Sequence, residues 1–140
     1  MIDAPSRTDC GYFHALTSRY QDNDANGFLS GAAVHACFES AVQAFLLQRA
    51  GLDLREGALA AFVIHTSADF LALPGFPDEL EVGLGILGAS GSTVEYRLVL
   101  FRQGEDQACA TGRWVQVFVD RASGEPARLP EGLKEALRAL

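Results

Sequence analysis

Positive charge is scarce in this sequence. Its 140 residues carry 11 Lys and Arg against 18 Asp and Glu, a formal net charge of −7. Nucleic-acid binding rests on a basic footprint that neutralises phosphates, so this balance excludes a general DNA or RNA partner. It leaves room for one phosphorylated small ligand, which a few local arginines suffice to hold. Cysteine is scarce too: Cys10, Cys37 and Cys109 are odd in number and widely spaced. They form no CxxC pair and no metal-ligand cluster with the 3 histidines, so no metal site is expected. A reducing cytoplasm is the compartment such thiols fit. The N-terminal stretch up to Gly11 is polar and lacks the apolar run of a signal peptide. No segment approaches the length of a membrane span, so no membrane association is expected. Internal repeats, low-complexity tracts and linkers are missing, as are a Gly-x-Ser-x-Gly elbow and a glycine-rich phosphate loop.

Apolar residues, by contrast, make up 49% of the chain, and the mean hydropathy is +0.10. Either an ordinary large core or an apolar face covered by another subunit accounts for that excess. The length suits one domain, residues 1–140, that folds without disulfides or metal. Residues 13–20 alternate weakly and read as a strand. Ser30 is a candidate N-cap for a helix over residues 31–50, closed by Gly51. That helix is apolar around most of its girth and is expected to be buried. From Ala60 the period changes to two: Phe62, Ile64, Ala68 and Phe70 mark one face, and His65, Ser67 and Asp69 the other. Further strands follow over residues 79–87, 93–102 and 107–120, with turns at residues 89–92 and 104–106, and Pro130 opens a short amphipathic helix. Strand, long helix, then four strands in hairpin succession is an α+β order.

The most informative stretch runs from Arg19 to Gly31. It joins a strand to a helix start and carries two carboxylates, Asp22 and Asp24, and the turn glycine Gly27. Unpaired N–H groups and the positive end of the macrodipole at a helix start can hold a developing oxyanion. A nearby carboxylate can attack the acyl carbon or deprotonate a water that does. The plain alternative is that both aspartates cap and brace the turn. His65 stands on the polar face of its strand, where it would line a pocket; His14 and His35 offer weaker signals. Cys37, inside an apolar helix, reads as packing rather than as a nucleophile.

These residues also carry a resemblance. Tyr20, Asp22, Asp24, Gly27, Phe38, Glu39 and Ala41 fall in register with the signature of the 4-hydroxybenzoyl-CoA thioesterase-like branch of the hotdog-fold superfamily. The segment from Phe70 to Val82 resembles the entry to that family's third strand, and Ala110-Thr111-Gly112 with Val115 to Asp120 resembles its last. The resemblance spans residues 13–130. It implies a hotdog fold, an antiparallel sheet wrapped around one long central helix. It implies hydrolysis of an alkyl or aryl acyl-CoA with Asp24 as catalytic acid, a structural Asp22, and the Gly31 backbone N–H as oxyanion donor. Gly27, Phe28, Leu29 and His65 would line the substrate site, Arg113 would be one of several arginines able to meet the coenzyme A phosphates, and Glu39 would make a structural hydrogen bond. No cofactor is implied beyond coenzyme A as part of the substrate, and the partner is a second copy in a homodimer or homotetramer, with the site between subunits. The sequence departs from the signature at Phe28, where the family has histidine, at Ser30 and Gly31, where it has asparagines, and at Val34 and Cys37, where it has tyrosines. Those changes make the pocket mouth less polar. A non-catalytic acyl-thioester binder with the same fold is the main rival; a hydroxyacyl-thioester dehydratase, with His65 as its histidine, is the weaker one.

Overall fold

The computed structural model describes residues 4–140; the first three residues of the expected 1–140 domain lie outside the described residues. Five strands, β1 (Tyr12–Thr17), β2 (Leu59–Phe70), β3 (Glu79–Ser90), β4 (Thr93–Arg102) and β5 (Ala110–Asp120), form one antiparallel sheet in the order β1-β3-β4-β5-β2. A long helix, α1 (Gly31–Gln48), packs against one face, mainly across β1, β3 and β4, and a short α2 (Glu131–Arg138) follows the last strand. This is the expected hotdog arrangement.

α1 forms where the sequence places it. Ser30 caps it, its Oγ accepting from Ala33 N at 3.1 Å, and Gly51 follows its end at φ +67, a left-handed conformation suited to glycine. Val34, Phe38, Ala41, Val42, Phe45 and Leu46 recur at three- and four-residue spacing and bury one side of the helix completely. They meet Leu80, Val82, Leu84, Tyr96, Leu98 and Leu100 of the two central strands. At the far end Tyr12 stacks edge-on to Phe45 and donates its hydroxyl to Gln48 Oε1 at 2.7 Å, tying β1 to the last turn. The opposite side, with Ala32, Ala36, Glu39, Gln43 and Leu47, is exposed, so the helix is buried on one side only, against expectation. One sheet can cover only one side of a cylinder.

Other expectations change: α1 ends at Gln48 and the third strand runs on to Ser90. The first strand ends at Thr17 because the Asp22 carboxylate accepts from Arg19 N at 3.0 Å and from the Arg19 guanidinium at 2.9 Å, winding residues Tyr20–Asp22 into a 3-10 turn. The last strand starts at Ala110 rather than at residue 107. In β2 the register slips between Val63 and His65, leaving Ile64 as a bulge. Directly paired residues of antiparallel strands share a face, so the slip splits the expected apolar row. Phe62 now sits with His65, Ser67 and Asp69, opposite Val117, Val115, Arg113 and Thr111, on the face away from α1. Ala61, Val63, Thr66, Ala68 and Phe70 oppose Phe118, Gln116, Trp114, Gly112 and Ala110 on the helix side.

Gly112 marks where α1 comes closest to β5. A Cβ there would lie 2.7 Å from Phe38 Cε2 and 2.5 Å from the Ser67 carbonyl oxygen. We expect Gly112→Ala to destabilise the fold by about 1–3 kcal/mol through overpacking, seen as a lower midpoint in thermal denaturation. An unchanged midpoint would show that Phe38 is free to withdraw.

Candidate functional site

Three segments meet at the N-terminus of α1. The first is the turn from Asn23 to Leu29, a miniature hairpin in which those two residues bridge and Asp24 N donates to the Phe28 carbonyl at 2.7 Å. Gly27 holds φ +85 at its tip, a conformation that side chains rarely adopt. Asp24 Oδ1 accepts from the amides of Asn26 at 2.8 Å and Phe28 at 3.2 Å. Among the described residues Asp24 Oδ2 accepts no hydrogen bond, and the side chain is exposed. Asp24 is thus a turn brace with one carboxylate oxygen left open.

The second segment is the first turn of α1. Ser30 N donates to the Asp22 carbonyl at 2.9 Å, while the Ser30 side chain and carbonyl accept from Ala33 and Val34. Among the described residues the amides of Gly31 and Ala32 have no acceptor. They point out of the helix at the positive end of its dipole. Gly31 is exposed, and a Cβ on it would lie 3.7 Å from Phe70 Cζ, so a ligand has room to approach the backbone.

The third segment is the loop leaving β2. Leu29 N donates to the Pro74 carbonyl at 2.8 Å, and Phe76 N donates to Asn23 Oδ1 at 3.0 Å. Gly75 sits so close to the Gly27 carbonyl oxygen that a Cβ would overlap it. The seam brings Phe28, Phe70, Leu71 and Leu73 together around an apolar hollow of about 250 Å3. An open carboxylate oxygen, two free amides and an apolar hollow within one loop cluster suit attack on an acyl group whose oxygen becomes an anion.

Of the neighbouring polar groups, Asp22 is structural. The hydrogen bonds from Arg19 hold Asp22 below the usual carboxylate range. Glu39 is exposed on α1 and makes no hydrogen bond among the described residues. Cys37 is buried against the sheet, and burial pushes its thiol up to about 11.

A model of the Thioesterase-like superfamily matches residues 18–137. The chain belongs to that superfamily. It is a thioesterase-like hotdog protein, and thioester hydrolysis is its activity. The PA5185 protein of Pseudomonas aeruginosa is 38% identical, with 97% of this chain and 95% of that one covered at a TM-score of 0.93. A thioesterase of Thermus thermophilus solved with coenzyme A and zinc is 28% identical, with 94% of each chain covered at a TM-score of 0.77. The 1,4-dihydroxy-2-naphthoyl-CoA thioesterase of Synechocystis, at 22% identity, 92% and 96% coverage and a TM-score of 0.82, shares the fold. No curated protein sequence matches. No helix of the described residues is long and apolar enough to cross a membrane. Among those residues no group of three or more His, Cys, Asp or Glu is placed to hold a metal ion.

The thioesterase's expected site residues divide into two sets. Asp24, Gly27, Phe28 and Gly31 come together as described. Leu29 is 1% exposed and packs into the core, so no substrate reaches its side chain. His65 and Arg113 lie on the face of the sheet away from α1, and within one chain they do not share a cavity with Asp24. His65 keeps the face of Ser67 and Asp69, opposite Ala68 and Phe70, and Arg113 shares it through its pairing with Ser67. Arg113 lines a larger hollow there, about 660 Å3, together with Asp69, Glu95 and Arg97. Its guanidinium is already paired with Glu95, as Arg102 is with Asp78, and Arg121 donates to three backbone carbonyls. Phe70, Leu71 and Leu73 belong to the pocket although only the family-like segment containing them signalled it.

At pH 8 a thiol titrating near 11 is about one part in a thousand thiolate, as Cys37 does. Cys37 should therefore resist alkylation at that pH in the folded protein and react on unfolding in guanidinium, as followed by peptide mass. Rapid alkylation of the native chain would show that α1 opens.

Proposed function

We propose that this chain, folded as one domain, hydrolyses acyl-CoA thioesters with Asp24 as nucleophile or general base and the Gly31 amide as oxyanion donor. The observation that carries this reading is the open Oδ2 of Asp24 in the same loop cluster as the Gly31 and Ala32 amides, which have no acceptor among the described residues. The acyl group rests against Phe28, Phe70, Leu71 and Leu73, whose hollow favours apolar alkyl or aryl groups by roughly 25 cal/mol per Å2 of apolar surface withdrawn from water. Coenzyme A in the Thermus thermophilus relative supports it as the handle. The three free thiols fit a reducing cytoplasm. The use of Asp24 Oδ1 in the turn favours one rival, a non-catalytic acyl-thioester binder, in which the carboxylate only braces the loop.

A second copy completes the site in this reading. β2 is an edge of the sheet, twelve residues long, with Phe62 60%, Ile64 61% and Phe70 47% exposed. A long apolar edge with unpaired backbone groups is a template for another strand. The edge ends at Phe70, against Gly31, so a copy paired there walls the hollow.

Asp24→Asn keeps the acceptor that braces the turn and removes the charge. It is expected to lower thioesterase turnover by ~100-fold or more, the loss typical of positioned acid–base chemistry, with an unchanged circular dichroism spectrum. Near wild-type turnover in that variant would reject Asp24, and a wild-type chain that binds acyl-CoA without cleaving it would favour the binder. Light scattering at micromolar concentration should give at least a dimer, and Ile64→Lys should shift it to monomer with loss of activity. A strictly monomeric, active wild type would remove the interfacial site.

A further inference from the structure

His35 lies one turn below Gly31 on α1 and has no part in the mechanism above. Its Nδ1 is 3.0 Å from the Gly31 carbonyl oxygen. A carbonyl oxygen only accepts, so Nδ1 carries the hydrogen, and in the neutral ring Nε2 is left with its lone pair. Among the described residues Nε2 has no hydrogen-bond partner. The ring is half-buried, sheltered yet reachable.

Its direction follows from its neighbours on the helix. Gly31 looks at Phe70 at the end of β2, and Phe38 reaches over Gly112 of β5. His35 sits between them and meets Phe38 edge-on, with ring centroids 6.4 Å apart. Gly31, His35 and Phe38 therefore form one flank of α1, facing the β5–β2 side of the sheet where the apolar hollow opens. One turn of helix is a rise of about 5.4 Å. Nδ1 is held by the carbonyl of the same residue whose amide receives the acyl oxygen, so the ring lies within about one turn of that oxygen.

We propose that His35 is a further catalytic residue of this thioesterase: its Nε2 is the base that activates the hydrolytic water, which leaves Asp24 as the nucleophile. This rests on the Asp24 reading given above. Asp24 Oδ2 attacks the thioester carbon, the C–S bond breaks, and a mixed anhydride and a thiolate result. Water then attacks the acyl carbon of the anhydride as Nε2 takes one of its protons. The oxygen that becomes negative is held by the Gly31 amide. Collapse breaks the bond to Asp24, returning its carboxylate and releasing the carboxylic acid, and the proton on Nε2 passes to the thiolate. The sum is one thioester and one water giving one acid and one thiol. The bond from Nδ1 to the Gly31 carbonyl fixes the tautomer this step needs, as a partner on one ring nitrogen does for the other.

The experiment separates base from brace. In His35→Asn the side-chain amide nitrogen takes the place of Nδ1 and keeps a donor for the Gly31 carbonyl, but nothing replaces Nε2. Release of free coenzyme A by quenched flow should show a first turnover of one equivalent per site within about threefold of the wild-type rate. Later turnovers should slow by ~100-fold or more, the lower range for loss of a positioned base. Asp24→Asn should show neither burst nor turnover. His35→Asn turning over like wild type, or slowed equally in both phases, would overturn the role of His35. Near wild-type turnover in Asp24→Asn would instead overturn the parent reading, so the two failures are distinct. Nitrogen-15 spectra of the wild type at pH 8 provide a check without variants: Nδ1 of His35 should be protonated and Nε2 bare, and the reverse tautomer would overturn the assignment.

Discussion

The seam between the Asn23–Leu29 turn and the loop leaving β2 is the constraint on which the site depends. Two hydrogen bonds cross it, from Leu29 N to Pro74 O and from Phe76 N to Asn23 Oδ1, and the missing side chain of Gly75 lets the backbones touch. The two segments are about fifty residues apart in sequence. Each is irregular, and neither buries enough apolar surface to hold itself in place. Joined, they set the Asp24 turn, the α1 start and the end of β2 in one corner. Leu29, buried at 1%, anchors the seam to the core, which is a better use of an apolar residue there than contact with substrate.

The order of elements was legible in the sequence because local signals and the hydrophobic period agree along most of the chain. Ser30 caps α1 as its chemistry demands, Gly51 closes it, Gly91 and Gly104 turn the hairpins at positive φ, and Pro130 precedes α2. Asp24, Gly27 and Gly31 were legible through their family spacing and through the physics of helix starts. The bulge at Ile64 was not. A bulge inserts one residue without any local signature when its neighbours are all apolar or small, and an edge strand penalises it little. That single residue moves Phe62 onto the face of His65, Ser67 and Asp69, which a strict period of two places opposite it. The pairing of Asn23 with Phe76 was illegible as well, since no period links an irregular turn to an irregular loop.

The sheet also divides the molecule chemically. On the helix side α1 lies mainly over β1, β3 and β4, and it meets the β5–β2 flank at Phe38 over Gly112 and at Gly31 near Phe70. Thr66, Ala68 and Phe70 on that flank are only partly covered within one chain. The outer side is built differently. Its charges are mutually compensated, Arg113 with Glu95 and Arg97 approaching Asp9 at 3.9 Å. Exposed pairs of that kind add little to stability and leave few charges free for a ligand.

Asp24 shows why a turn residue and a catalytic residue need not be alternatives. The amides of Asn26 and Phe28 both bind the same oxygen, Oδ1. A carboxylate anchored through one oxygen cannot rotate freely, so Oδ2 is held in a fixed direction before any substrate arrives. Catalysis by a positioned group depends on that preorganisation, because reorienting it during the reaction would add to the barrier. Gly27 makes the arrangement possible: its positive φ closes the turn so that the amides on either side of it, of Asn26 and Phe28, converge on Oδ1. A looser turn would leave the aspartate exposed but undirected, with the same residues in the sequence and much less chemistry. What the family spacing of Asp24 and Gly27 encodes, on this reading, is the geometry of one oxygen in the service of the other.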